Sequence, residues 1–382
     1  MTRTPREISW RTLGMLLLLA LTLGVAGCGS SGSSASSGSG SVDPAAKAAV
    51  DQHTKNPTKI GPTAPVGKPI PTGKKVVVVS CGQPGCNDTV YAFQQAAKVL
   101  GWNVSELTPP QPTPELIQQV MGQAVSANPD AVVVTSTALV NFQQQAAALA
   151  KKNIPLITAF GVEPVGGPVT MAISTAQQEA KFAALAADKI TVDLGGKGTV
   201  GVVGLSGFPS VTEFIKGFYS ELKKVCSGCK TKQVTIQPSA LGSSSGTDIS
   251  NFLRANPDVN AVMLGFEGLG GGLSAAAGSA GIKLPPSYSI VATVSGLPDL
   301  ESGARTATIP NDFTVVGWQI ADALARIFTG QTTSAQTEDA KLQQPVIWSK
   351  AYHNIPTVPA GAKYLPAFIP DYQDQFKKLW GK

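Results

Sequence analysis

Residues 74–102 read KKVVVVSCGQPGCNDTVYAFQQAAKVLGW. Four valines in a row, Val76 to Val79, follow two lysines and precede a turn, as in a parallel strand buried on both faces. Gly82, Pro84 and Gly85 then favour a loop, and Asp88 stands where a helix cap is expected. Phe93, Ala96, Ala97 and Leu100 recur at helical spacing, and Gly101 ends the helix. Strand, glycine-bearing loop and helix in that order make the founding unit of an open α/β sheet. In such sheets the loop at the carboxyl end of the strand is where ligands sit.

The same alternation runs down the chain. Strand-like runs fall at 103–107, 131–135, 154–160, 169–174, 199–205, 232–236, 261–266 and 289–294. Helical spacing appears between them, at 113–125, 139–152, 177–192, 211–225, 247–255 and 270–280, and a last strong helix at 318–328. Alternation of this kind implies right-handed crossovers and parallel sheets. Asn256-Pro257-Asp258 precedes one strand much as Asn128-Pro129-Asp130 precedes another, a weak internal similarity that points to two lobes of like topology. Residues 161–169, with glycine, proline and no periodicity, read as a hinge.

Arg3, Arg6 and Arg11 precede an apolar run at 13–25 that is short for a membrane span. Val25-Ala26-Gly27-Cys28 closes it and resembles a bacterial lipobox, in which cleavage before the cysteine leaves its sulfur to carry lipid. Stable anchoring takes two or more acyl chains. Serine and glycine dominate 29–41 and proline is scattered from 44 to 71, the composition of an unfolded tether. The expected address is the outer face of the cytoplasmic membrane.

At 382 residues the chain has room for two domains, and 43% hydrophobic against 14% charged residues makes it globular. Beyond residue 27 there are 27 basic and 23 acidic side chains, a net +4, with no basic cluster able to follow a phosphate backbone. Nucleic acid is therefore not an expected partner. Outside the lipobox the cysteines are Cys81, Cys86, Cys226 and Cys229, and export makes disulfides the default. Cys81–Cys86 would staple the first loop and Cys226–Cys229 would close a small ring. A redox role for Cys226-x-x-Cys229 is the alternative, but it follows a predicted helix, at the electronegative end, where thiols are not activated. A four-cysteine zinc site is the other alternative, and the exported compartment argues against it. No metal or cofactor motif is evident: Gly268-Leu269-Gly270-Gly271-Gly272 lacks the Gly-Lys-Ser/Thr of a phosphate cradle. His53 and His353 lie in the tether and the tail, so Ser206 and Ser210 have no base, and no enzyme is expected.

With those residues in hand, the chain resembles a type I periplasmic binding protein of the sugar, ribose-type branch, in particular its substrate-binding lipoproteins of ABC transporters. The resemblance rests on segments such as Ala96-Ala97-Lys98-Val99-Leu100-Gly101-Trp102, Lys151-Lys152-Asn153-Ile154-Pro155, Gly195-Gly196-Lys197-Gly198 and Asp322-Ala323-Leu324-Ala325-Arg326, in order, over 74–331. It implies an α/β fold of two Rossmann-like lobes with parallel sheets, joined by a three-crossing hinge, closing on a solute that is handed to an ABC permease. The division expected is a signal peptide at 1–27, a lipid-anchored tether at 28–73, lobe one at 74–161 plus 311–330, lobe two at 162–310 plus 340–352, and a tail at 353–382. A monomer is expected. A ligand-sensing subunit docked on a membrane receptor and an exported thiol–disulfide protein are the alternatives.

The positions at which the resemblance implies ligand contacts have changed chemistry. The family's Asn-Pro-Phe-Phe loop corresponds to Gln83-Pro84-Gly85-Cys86, and its Asp-Arg pair to Phe160-Gly161. The helix-opening arginine falls at Phe214, the Asn-Asp pair at Phe266 and Glu267, and the late Asp and Gln at Ser295 and Asn311. Groups that fork onto sugar hydroxyls are largely replaced by phenylalanine, and each buried hydroxyl left unpaired costs about 1–3 kcal/mol. The expectation is a solute less hydroxylated than a free pentose, held among Phe160, Phe214 and Phe266 and oriented by Gln83, Ser295 and Asn311.

Overall fold

The computed structural model describes residues 41–111, 113–331 and 344–382. The signal peptide, Cys28 and the tether up to residue 40 lie outside the described residues.

The founding unit forms, but its helix begins earlier than the sequence suggests. Proline at the first helical position lets it start at Pro84, so Gly85 and the expected cap Asp88 lie inside the helix and Gln83 precedes it. β1 (Lys75–Val79) leads through Gln83 into α2 (Pro84–Leu100), which ends on Gly101 at φ 73°, a left-handed cap that a Cβ would strain. β2 (Asn103–Leu107), α3 (Pro114–Ser126), β3 (Ala131–Thr135), α4 (Gln143–Lys151), β4 (Leu156–Val162) and β5 (Met171–Thr175) complete a parallel sheet of order β2-β1-β3-β4-β5. The second sheet, order β10-β9-β8-β6-β7, holds β6 (Lys197–Leu205), β7 (Gly228–Ile236), β8 (Ala261–Leu264), β9 (Ser287–Ile290) and β10 (Ala307–Ile309). Its flanking helices are α5 (Ala176–Asp193), α6 (Pro209–Val225), α7 (Ser245–Ala255), α8 (Leu273–Ser279) and α9 (Leu297–Ser302). The repeated Asn-Pro-Asp turns do the same work in each lobe. Asp130 Oδ2 accepts from Lys75 N at 2.8 Å as β1 begins, and Asp258 Oδ2 accepts from Thr199 Oγ1 at 3.4 Å near the start of β6.

One lobe boundary and one expected strand differ from the sequence reading. Residues 161–169 are not the hinge: the turn at Gly166 and Gly167, both at positive φ, brings β5 back beside β4 in the first sheet. The chain crosses after β5 instead, and again between β10 and α10 (Phe313–Phe328), which packs on α2. Pro345–Ser349, expected as a strand, returns to the second lobe only as an antiparallel bridge between Trp348 and Thr308.

The tether, expected to reach residue 73, stops short of the helix. Asp43 caps α1 (Pro44–Gln52), accepting from Ala45 N at 2.7 Å, and Ala46 and Val50 are buried against α5 of the second lobe. The strap that follows bonds first to that lobe, with Ile347 N donating to His53 O and Trp348 Nε1 to Asn56 Oδ1. It then passes to the first lobe, burying Ile60 and Val66 and bonding Val66 N to Leu379 O. Proline-rich composition hid this segment, because its backbone groups are satisfied by neighbours rather than by a ladder of its own. The tail likewise docks: α11 (Tyr372–Trp380) stacks Trp380 on Trp318 of α10 and donates its indole N–H to Asp322.

Candidate functional site

A cavity of about 60 Å³ lies between the lobes at the carboxyl ends of the strands. Lobe one contributes Gln83, Phe160 and Phe313, and lobe two contributes Phe208, Phe266 and Ile290. Phe160, near the end of β4, and two further lining residues, Ser136 and Val291, just past β3 and β9, have φ of 58°, 44° and 66°. Left-handed backbone is strained for non-glycine residues, most of all a β-branched valine, and such strain clusters where ligands are held.

The two disulfides join the expected cysteines. Cys81 and Cys86 line the cavity, are buried, and pack into the hydrophobic cluster of the second lobe although they belong to the first. Cys81 N donates to Thr135 Oγ1, so the loop is fixed to β3 as well. Cys226–Cys229 lies elsewhere, between the C-terminal end of α6 and the start of β7.

The structure brings together four of the six expected contact residues: Gln83, Phe160, Phe266 and Asn311. Phe214 is not among them. It is fully buried, on the stripe of α6 that carries Phe218 and Leu222 into the second lobe's core. Ser295 is also elsewhere, sharing a hydrogen bond with Thr293, whose hydroxyl donates to Glu267 Oε2. Glu267 faces Arg305 at 3.5 Å, and both are almost wholly buried. Burial pushes the Glu267 carboxyl up, with Arg305 and Thr293 pulling the other way. Ser295 thus belongs to a hydrogen-bond chain that ends on the Glu267–Arg305 ion pair and does not line the cavity.

Phe208, Phe313 and Glu179 were missed. Phe208 is the residue before α6 and Phe313 the first of α10, so each is fixed by a helix start. Phe313 meets Phe160 edge-on at 5.3 Å and 66°. Glu179, in the first turn of α5, accepts from Ser174 Oγ at 3.1 Å. Asn311 is 3% exposed and its Oδ1 has no hydrogen-bond partner. An apolar, aromatic-lined cavity with a few convergent polar groups is the usual form of a small-molecule site. Among the described residues there is no cluster able to hold a metal ion, and no helix is long and apolar enough to cross a membrane.

The family described as periplasmic binding protein domain matches residues 75–332. Among solved structures, the 5-methylthioribose transporter solute binding protein of Thermotoga lettingae TMO, in complex with 5-methylthioribose, superimposes with a TM-score of 0.66 at 17% identity, over 83% of this chain and 100% of that one. The XylFII–LytSN complex gives 0.64 at 18% identity, over 74% and 99%. GanP, a glucose-galactose binding protein from Geobacillus stearothermophilus, gives 0.63 at 18%, over 74% and 99%. At these identities the likeness is one of fold. A comparison with curated proteins finds no match.

Proposed function

We propose that this chain, which belongs to the periplasmic binding protein family, captures a small solute less hydroxylated than a free pentose and delivers it to an ABC import permease. It works as a monomer on the outer face of the cytoplasmic membrane, held there by lipid on Cys28. The observation that carries the reading is the lining of the inter-lobe cavity. Phe160, Phe208, Phe266 and Phe313 surround it, while Gln83 and Asn311 supply amides. A polyhydroxylated ring would leave several hydroxyls unpaired there, at about 1–3 kcal/mol each. Relatives of this fold include proteins that bind glucose and galactose and one that binds 5-methylthioribose, a sugar with an apolar arm.

A thermal-shift screen of the purified body against D-ribose, D-galactose, 5-methylthioribose and small aromatic solutes tests it. A true ligand at a hundredfold its Kd stabilises by about 2.7 kcal/mol, and the midpoint keeps rising with concentration. If the free monosaccharides bind tightly and the apolar and aromatic solutes do not, the reading of the pocket fails.

A further inference from the structure

We infer that the solute is a planar nitrogen heterocycle carrying a lactam-type edge, an N–H beside a C=O, paired with the side-chain amide of Asn311. This rests on the capture reading above and narrows its substrate class. The first observation is Asn311 itself. It lines the cavity, is 3% exposed, and its Oδ1 has no partner, so a cargo that offers no donor there leaves a buried acceptor unpaired. A side-chain amide offers an acceptor and a donor side by side, and it pairs bidentately with an edge that offers the reverse.

The second observation is independent of Asn311. α2 and α6, 17 residues each, both begin at the cavity, and each has proline at its first position. Neither Gln83 nor Phe208, the residues that precede them, places a side-chain acceptor on the first turn. The amides of Gly85 and Cys86 in one helix, and of Ser210 and Val211 in the other, are thus left to meet acceptors from the cavity side. Carbonyl oxygens on a ring are such acceptors. The cavity therefore offers helix amides for carbonyl groups and, at Asn311, a buried amide for an N–H/C=O pair, with the amide of Gln83 at its rim.

Four phenylalanines, Phe160, Phe208, Phe266 and Phe313, make the largest part of the remaining wall, beside the Cys81–Cys86 disulfide, Ile290 and the carboxylate of Glu179. Such faces and edges suit a flat ring better than a puckered polyol. The cavity is small, about 60 Å³, which favours a single ring over a fused or linked pair.

Calorimetry with uracil, 1,3-dimethyluracil and D-ribose, on the parent protein and on Asn311→Leu, tests the inference. The result expected is that uracil binds, that methylating both nitrogens weakens binding at least tenfold, and that Asn311→Leu weakens uracil by a similar factor. The unliganded melting midpoint of Asn311→Leu should be no lower than that of the parent, because the substitution removes an unpaired buried oxygen. Equal affinity for uracil and its dimethyl derivative overturns the inference, as does binding of D-ribose without uracil; either leaves solute capture standing. If neither those probes nor any solute of the thermal-shift screen binds, solute capture falls with it.

Discussion

Gly85→Ala tests how the cavity wall is built. Gly85 is buried in the first turn of α2, directly under the ring of Phe313. A Cβ there would stand 2.5, 2.7 and 2.9 Å from three ring atoms. Carbon atoms rest at about 3.5–4.0 Å, so the ring would have to retreat by about 1 Å. It has little freedom to do so, being wedged against Phe160 and fixed at the start of α10. Overpacking of this kind costs about 1–3 kcal/mol, and alanine's better helix propensity returns at most about 1 kcal/mol. The net expectation is a loss of about 1–2 kcal/mol in urea denaturation. The displaced ring also narrows the cavity, so calorimetry with the solute found by screening should show affinity at least tenfold weaker, about 1.4 kcal/mol. Adding Phe313→Leu removes the collision, and the double-mutant cycle should give a coupling of about 1 kcal/mol or more. A Gly85→Ala protein as stable as its parent with unchanged affinity, or two strictly additive substitutions, would refute this account.

Four further outcomes are expected. Arg305→Met leaves buried Glu267 without its cation and should cost about 3–5 kcal/mol in chemical denaturation, whereas the paired change Arg305→Met with Glu267→Leu should recover much of that. Asp312, the buried cap of α10, accepts from Val315 and Phe368 amides, yet burial still raises its carboxyl to about 7. Its folded pKa lies above the unfolded one, so the stability it contributes is full below about pH 4 and is lost as pH rises towards 7. That loss reaches about 1.4 kcal/mol per pH unit at its steepest, and Asp312→Asn should flatten the trend in urea midpoints measured from pH 4.5 to 8. Phe214→Ala should lower stability by about 3–5 kcal/mol while the folded fraction keeps its affinity, and Phe208→Ala should do the reverse; a swap of these phenotypes would show the cavity to be misplaced. Replacing Cys81 and Cys86 by serine should weaken solute binding more than it lowers the urea midpoint, and equal losses would count against a role for the disulfide in shaping the cavity.

Much of the fold was legible because its strands are runs such as Val76 to Val79 and Ala131 to Thr135, which burial on both faces demands. What was not legible is which sheet a strand joins. β5 reads like any other parallel strand, and only the turn at Gly166 and Gly167 returns it to the first lobe. β10 is three residues long, too short for a pattern to show. The site divides in the same way. Asn311 and Phe160 line the cavity as the family resemblance implies, Phe160 near the end of β4 and Asn311 just past β10. Phe214 was misread although its own helix held the answer: Val211, Phe214, Phe218 and Leu222 make one apolar stripe, so Phe214 faces the core. Phe208 and Phe313 lie at helix starts, where periodicity has not begun and gives no phase.

The strap from α1 to β1 has a consequence for the order in which the molecule assembles. Its partners lie at the other end of the chain: Asn56 meets Trp348, Thr58 and Ile60 meet Gln375, and the separations run from 292 to 317 residues. Contacts of such range close the largest loops and form late, whatever their final strength. During synthesis both lobes can gather their valine strands, and α1 can dock on α5, while Asn56, Thr58 and Ile60 still lack these partners. Only when α11 has emerged and stacked on α10 do these groups exist to be bonded. The middle of the strap, made before either lobe, is thus among the last parts of the molecule to settle.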